Sequence, residues 1–286
     1  MLLSFHPILE GDVNRLCAGR DPDPEDLAAM DKATAILLPQ GCRESLYRAA
    51  RRACARVFPN YEARFAYPGK TGQVKLFREL GLPHPESLIF SNIEDFNTRY
   101  PDPDKMPLAP PLMVKRDWGG EGQGVYPAQD MAALNHVLQD LERTESALQS
   151  GFVIQRFIPT APRVLRVVVI GAVRRTYWRV VAPSSDPYVR IGLSRGGRID
   201  DKADPDLMRA AETAVASACR ETAIDLAAFD VIFSRDPAVS APDTPIFLEI
   251  NYFFGRRGLG GSEGFYRLLA LGLGDWQPTR RKAAQQ

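Results

Sequence analysis

The sequence predicts a mixed protein, α/β at its amino end and α+β beyond it, with hairpins packed against helices. Three observations carry that expectation. Residues 1–66 alternate short apolar runs with helical patterns, which implies a small parallel sheet with right-handed crossovers. Residues 112–126 read as an apolar strand, a glycine-rich loop and a second strand. Residues 227–251 contain two apolar runs, each carrying an acid, joined by a Pro- and Asp-rich loop that suits antiparallel neighbours.

In the amino-terminal part, residues 2–5 read as a strand, and PEDLAAMDKA as a helix with Asp23 at its N-cap. TAILLP (34–39) is an apolar strand of the kind buried on both faces. Residues 43–56 form a basic amphipathic helix, and 55–60 a third strand. The turn at Gln40-Gly41 precedes a helix, where backbone N–H groups suit an anion; a plain tight turn is the stronger reading.

A helix is expected over 71–80, with Val74, Phe77 and Leu80 on its buried stripe and Gly81 as its stop. Lys70 then stands just before the helix, where an ammonium and exposed N–H groups can face phosphate. Residues 92–111 run from a short helix into a proline-rich connection. The strand Leu112–Val114 ends in Lys115, and Gly119, Gly120, Gly122 and Gly124 follow before Val125 and Tyr126. Glycines so spaced let a hairpin close over a ligand with bare N–H groups aimed at phosphate oxygens. No GK[ST] follows and a strand comes next, so this is not a P-loop.

Residues 131–148 have helical spacing, and 152–158 form a strand that bends at Pro159. Residues 164–181 make a hairpin turning at Gly171-Ala172, with Arg166 and Arg179 as cations on otherwise core-like strands. YVRIGLSRGGRI (188–199) adds Arg190, Arg195 and a Gly-Gly turn. Helices follow at 205–223 and 262–273, and the last residues form a polar tail.

The most informative stretch is IFLEINYFFGRRGLGG, residues 246–261. Strand alternation would turn Glu249 and Asn251 to one face and Leu248 and Ile250 to the other. A paired strand would bring Asp230 beside them. Bare oxygens so placed repel one another, so a cation is expected, and hard oxygen donors before a glycine-rich turn suit magnesium shared with phosphates.

Composition narrows the field. The 286 residues include 45% hydrophobic ones and carry a net charge of +1 from 36 basic and 35 acidic residues, so no global field draws the chain to nucleic acid or to a membrane surface. The start lacks a basic n-region, and no apolar stretch is long enough to span a bilayer. Cys17, Cys42, Cys54 and Cys219 show no zinc-type spacing and read as thiols of a cytoplasmic protein.

The order of these parts resembles the ATP-grasp superfamily, in particular the branch of ribosomal-protein glutamate ligases and bacterial glutathione synthetases. The likeness covers about residues 67–273. Lys70, ahead of Gly81-Leu82-Pro83, matches the family's first nucleotide lysine. Lys115 with Gly119, Gly122 and Gly124 matches its second lysine and phosphate-covering loop. Gln155, Arg156, Phe157 and Ile158 match the hinge whose backbone hydrogen-bonds adenine. Arg166, Arg190 and Arg195-Gly196-Gly197 match basic positions near the transferred phosphate and the substrate, and Asp230, Glu249 and Asn251 match the magnesium ligands. The chain departs from the family's pattern at Gly69, where an Asp is usual, at Val164, where an acid is usual, and at Gly192, where an Asn is common. After Asn251, Tyr-Phe-Phe-Gly-Arg-Arg replaces small residues and Pro-Gly. The nucleotide and metal parts are kept, and the substrate end is altered.

The resemblance implies two α+β lobes clasping ATP, preceded by the small α/β unit. The expected divisions are 1–66, then 67–276 with a central lobe over 88–158 and a C-terminal lobe over 159–276, then a tail over 277–286. It implies carboxylate–amine ligation through an acyl phosphate, with ATP and two Mg2+ ions (Mn2+ being an alternative metal). Arg166 and Arg190 are the expected catalytic cations. Arg195, Gly196, Arg256 and Arg257 are expected to meet the substrate, an acid with more than one negative charge. The amine is a small molecule or a peptide or protein terminus, and a homodimer is compatible with the chain. The rival readings are an ATP-grasp kinase acting on a hydroxyl and a nucleotide-binding regulator without turnover.

Overall fold

The structure is a computed structural model that describes residues 1–17, 19–117, 124–145, 151–181 and 197–274. The chain opens with a parallel sheet made from β1 (Leu2–Ser4), β2 (Val13–Asn14), β3 (Ala35–Leu37) and β4 (Val57–Phe58), in the order β2-β1-β3-β4. Strand β2 is too short and too polar to announce itself in the sequence. Helices α1 (Pro24–Asp31), α2 (Glu44–Ala53) and α3 (Glu62–Ala66) lie between and after the strands. Asp23 caps α1 as expected, in a reciprocal box with Asp26. The Gly41 N–H donates to Tyr61 Oη at 3.1 Å, so the Gln40-Gly41 turn is a structural one.

Helix α4 spans Gly69–Glu79 and starts two residues earlier than the periodicity suggests, which puts Lys70 inside its first turn. Val74 and Phe77 are buried, and Gly81 (φ 62°) follows its end. The central lobe has β5 (Ser87–Phe90), α5 (Ile93–Arg99), β6 (Leu112–Arg116), β7 (Val125–Ala128), α6 (Met131–Thr144) and β8 (Phe152–Arg156). Its antiparallel sheet runs β5-β8-β6-β7.

The C-terminal lobe has β9 (Arg163–Ile170), β10 (Val173–Val180), β11 (Arg198–Asp200), α7 (Pro205–Thr222), β12 (Leu226–Ile232), β13 (Ile246–Asn251) and α8 (Gly261–Gly272). Its five strands are antiparallel in the order β11-β10-β9-β12-β13, which leaves β13 at an edge. The expected hairpin at Gly171-Ala172 and the antiparallel pairing of the two acid-bearing strands are both present.

The cores are grouped unevenly. Phe90, Leu112, Val114, Leu138, Phe152 and Ile154 close a core inside the central lobe. The main core instead joins the amino-terminal sheet to the C-terminal one, with Phe5, Ile36, Tyr47 and Tyr61 in the same cluster as Phe77, Trp178, Phe229 and Phe247. A third cluster packs Leu37 and Phe58 with Tyr177, Phe254, Phe265 and Leu269 of the C-terminal lobe. Strand β3 is therefore covered on both faces, which explains its unbroken apolar run. All four cysteines are buried and free. Among the described residues, no helix is long and apolar enough to cross a membrane.

One half-buried carboxyl links the amino-terminal unit to the C-terminal lobe. Asp225 Oδ1 accepts the Asn60 N–H at 2.7 Å. Burial pushes its carboxyl up to about 7, against that hydrogen bond, which lowers it. The unfolded chain releases this proton near pH 4, whereas the fold keeps it until about 7. Stability must fall as pH rises through that window and level off above it, by at most on the order of 4 kcal/mol. Asp225→Asn keeps the acceptor and loses the titration. Thermal melts should show the variant more stable than the parent at pH 8, with the gap closing by pH 4.

Candidate functional site

Four neighbouring strands place one row of polar side chains on the face of the C-terminal sheet. Tyr177 on β10 is opposite Arg166 on β9, Arg166 is opposite Asp230 on β12, and Asp230 is opposite Glu249 on β13. Arg166 grips Asp230 with two bonds, Nε to Oδ1 at 2.8 Å and Nη2 to Oδ2 at 2.7 Å. Arg179 Nη1 adds contacts to the same carboxylate at 3.2 and 3.4 Å, and Asn251 Nδ2 donates to Oδ2 at 3.1 Å. Burial alone would push the Asp230 carboxyl up, but Arg166, Arg179 and the Asn251 amide hold it below its usual range. Burial likewise opposes the charge on Arg166, and Asp230 outweighs it, so that guanidinium stays protonated.

This arrangement corrects the electrostatic argument made from sequence. Asp230, Glu249 and Asn251 do meet, but Asp230 is not a bare carboxylate awaiting a cation, because two guanidinium groups already neutralise it. Glu249 differs: it has no hydrogen bond or ion pair among the described residues. Asn251 is held by its amide nitrogen, which leaves its Oδ1 as an acceptor. Among the described residues, no three or more His, Cys, Asp or Glu side chains form a metal-binding group. The donors available to a metal are thus Glu249 and Asn251, with Asp230 behind them.

The strand carrying them does not alternate simply. Asp230 pairs with Glu249 but Val231 pairs with Phe247, so Leu248 is an extra residue in a β-bulge. Leu248 therefore packs against the cluster of Ile158, Val164, Ile232 and Ile246, while Ile250 enters the main core with Phe247. The expectation that Leu248 and Ile250 share a face fails for this reason. Leu248 and Glu249 are both half-buried neighbours, and Leu248 lies over an apolar cluster beside the carboxylate.

One lysine from the central lobe feels this carboxylate, and a second lies near that lysine. Burial, with Lys70 adding to it, lowers the Lys115 ammonium to about 8, while Glu249 and Asp230 pull the other way. Lys115 lies on β6 of the central lobe and Lys70 on α4, so the site gathers groups from three separate segments. Asp117, just past β6, fastens two of them together. Its carboxylate accepts the Thr71 N–H at 2.7 Å and the Thr71 hydroxyl at 2.9 Å, capping the first turn of α4. A Cβ at residue 69 would run into that carboxylate, and φ there is +68°, so glycine is required. The acid missing at position 69 is thus matched by one reaching in from position 117. Sequence reasoning missed Asp117 because it read position 69 in isolation.

Gln73, one turn beyond Lys70, is a second missed residue. Its amide pairs with both backbone groups of Ile250: Nε2 donates to the Ile250 carbonyl at 2.8 Å, and the Ile250 N–H donates to Oε1 at 2.8 Å.

At the expected hinge, the amide N–H groups of Arg156 and Phe157 are already engaged, by Glu86 O at 2.9 Å and Pro111 O at 3.0 Å. The Arg156 side chain is paired with Glu86. Gln155 is buried, donates to Ser87 Oγ at 2.8 Å, and has an Oε1 without a partner. Ile158 lines the apolar cluster beside Leu248. Of the lid glycines only Gly124 is described; Gly119, Gly120 and Gly122, with Arg190, Arg195 and Gly196, lie outside the described residues.

Arg256 is engaged by the helix that follows it. Its Nη1 donates to Ser262 Oγ at 3.2 Å and Tyr266 Oη at 3.0 Å, and its guanidinium sits 4.4 Å from the Phe265 ring centroid. Arginine stacks readily on aromatic faces, and here that holds it against α8 instead of beside Arg257, which is exposed. The same loop shows Phe253, 76% exposed, with its ring against Gly41.

The ion pair makes a test. Arg166→Met leaves Asp230 short of its main partner in a buried setting and should cost about 3 kcal/mol in urea unfolding. Adding Asp230→Asn should recover part of that loss. Equal stability of the single and double variants would show that Asp230 does not depend on Arg166.

No protein-family model matches the sequence, nor does any curated protein. Solved structures do. An N5-carboxyaminoimidazole ribonucleotide synthetase in complex with ADP superimposes with a TM-score of 0.57 at 10% identity over 87% of this chain. An L-amino acid ligase from Bacillus licheniformis gives 0.55 at 14% identity over 94% of it. The chain spans 62% and 63% of those two proteins. A RimK domain protein, ATP-grasp, from Sphaerobacter thermophilus gives 0.60 at 14% identity, over 96% of this chain and 98% of its own. The fold is the ATP-grasp fold.

Proposed function

We propose that this chain binds Mg·ATP between its central and C-terminal lobes and uses it to join a carboxylate to an amine, releasing ADP and phosphate. The observation that carries the reading is the polar row across the C-terminal sheet that ends in Glu249 and Asn251, with Lys115 of the central lobe in electrostatic reach of Glu249 and Lys70 of α4 in reach of Lys115. Two ammonium groups near a carboxylate and an amide oxygen suit a polyphosphate with its metal. The apolar cluster of Ile158, Val164, Ile232, Ile246 and Leu248 suits a purine ring beside it. Ligases among the proteins of similar fold support the same class of reaction.

Lys70 and Lys115 hold the phosphates in this reading, with Gly124 and the lid glycines Gly119, Gly120 and Gly122 covering them. Glu249 and the Asn251 oxygen would hold Mg2+, with Asp230 behind them keeping Arg166 in place. When bound, the metal supplies charge neutralisation to the transferred phosphate. The substrate carboxylate attacks the γ-phosphorus and ADP leaves, giving an acyl phosphate. The amine then attacks the carbonyl carbon, phosphate leaves, and the nitrogen gives up a proton. Arg166, fixed by Asp230, and Arg190 are the cations assigned to the charge that develops on the phosphate and the carbonyl oxygen. Arg195, Gly196 and Arg257 belong to the substrate end. With Arg256 held on α8, Arg257, exposed on the same loop, is the arginine assigned to an acidic substrate, and Phe253 offers an apolar contact near it.

The test combines chemistry with one substitution. Enzyme, Mg·ATP and a panel of amino acids and dicarboxylic acids, with hydroxylamine as the trapping amine, should release ADP and yield a hydroxamate. Glu249→Gln should remain folded and lose at least about a hundredfold in turnover. A stable phosphoester without hydroxamate would make the protein a kinase, and nucleotide binding without ADP release would make it a regulator. Full turnover in folded Glu249→Gln would remove the carboxylate from the mechanism.

A further inference from the structure

We propose that Gln73 is a positioning residue that sets Lys70 against the strand carrying Glu249 and Asn251; the inference rests on the nucleotide reading above. Strand β13 is an edge of the five-stranded sheet, so its outward backbone groups need partners from elsewhere. At Ile250 both are met by one side chain, with two bonds of 2.8 Å. A planar amide, presenting a donor and an acceptor side by side, is the side chain suited to that double pairing. The residue so gripped lies between the two oxygen donors of the site.

The other end of the connection is equally specific. Gln73 is three residues beyond Lys70 on α4, hence on the same side of the helix. The helix does not need this amide to stay in place, because Leu76 and Phe77 are buried in the main core and the Phe247 N–H donates to Pro83 O at 2.8 Å beyond its end. What the amide adds is the rotation and height of the first turn relative to Glu249. Asp117 holds the same turn from the central lobe through Thr71. The turn that presents Lys70 is thus gripped by both lobes. A phosphate-binding ammonium displaced by about 1 Å loses much of its effect on the reaction.

The experiment is a double-mutant cycle read by calorimetry with Mg·ATP and by ADP release. Gln73→Met keeps the length and helix propensity of the side chain and removes the amide. It should weaken Mg·ATP binding roughly tenfold while the unfolding transition stays cooperative. In a Lys70→Met background the same substitution should cost nothing further, because the group it positions is gone. Unchanged affinity, or an equal loss in both backgrounds, would overturn the inference and leave the nucleotide reading intact. A parent protein that does not bind Mg·ATP would overturn the reading and the inference together. Should Gln73→Met fail to fold, amide exchange at Ile250 in the parent decides. Slow exchange is expected of an N–H bonded to Gln73, and exchange at the rate of an open strand edge would refute the contact. Gln73→Glu, which keeps the acceptor and loses the donor, should then bind Mg·ATP with intermediate affinity, and parent-like affinity would refute the role.

Discussion

The candidate face depends on how a carboxylate is kept charged inside a sheet. Asp230 is 7% exposed, a setting in which an unpaired carboxylate would take up a proton. Arg166 lies directly across one strand boundary and fixes it with two parallel bonds, and Arg179 and Asn251 complete its coordination. Everything else at the site is arranged outward from that pair. Glu249, opposite Asp230 on the next strand, is the first carboxylate in the row without a hydrogen bond or ion pair among the described residues. The C-terminal sheet therefore neutralises its inner charge and leaves its outer one open.

Much of the fold was legible because it rests on local rules. The α1 cap at Asp23, the stop after α4 at Gly81, the Gly171 turn and the antiparallel strands carrying Asp230 and Glu249 each follow from a few adjacent residues. The candidate site was legible as a set of residue types in order, including Arg166 and Arg179 as cations on core strands. Their partner was not, because pairing across strands depends on register, which no periodicity reports.

What remained hidden has one common cause. Gln73 bonds a backbone 177 residues away, and Asp117 caps a helix 46 residues before it. Such contacts leave no trace in amphipathic pattern or spacing, since a glutamine on a helix and an aspartate after a strand both look solvated. Arg256 shows a different long-range effect. Its neighbour in sequence suggested a shared task, but Phe265 and Tyr266 one helix later offered a better surface for its guanidinium.

The bulge at Leu248 has a consequence for how this strand can vary. A regular strand gives every second side chain to one face, about 7 Å apart. By inserting Leu248, the chain sets an apolar side chain and a carboxylate at consecutive positions, so greasy and charged surfaces adjoin within a single residue step. Deleting that residue would restore a tidy ladder with Phe247 and Glu249 still paired, and would erase the apolar half of the junction. The strand is consequently intolerant of length changes at a point where its hydrogen bonding alone would welcome one.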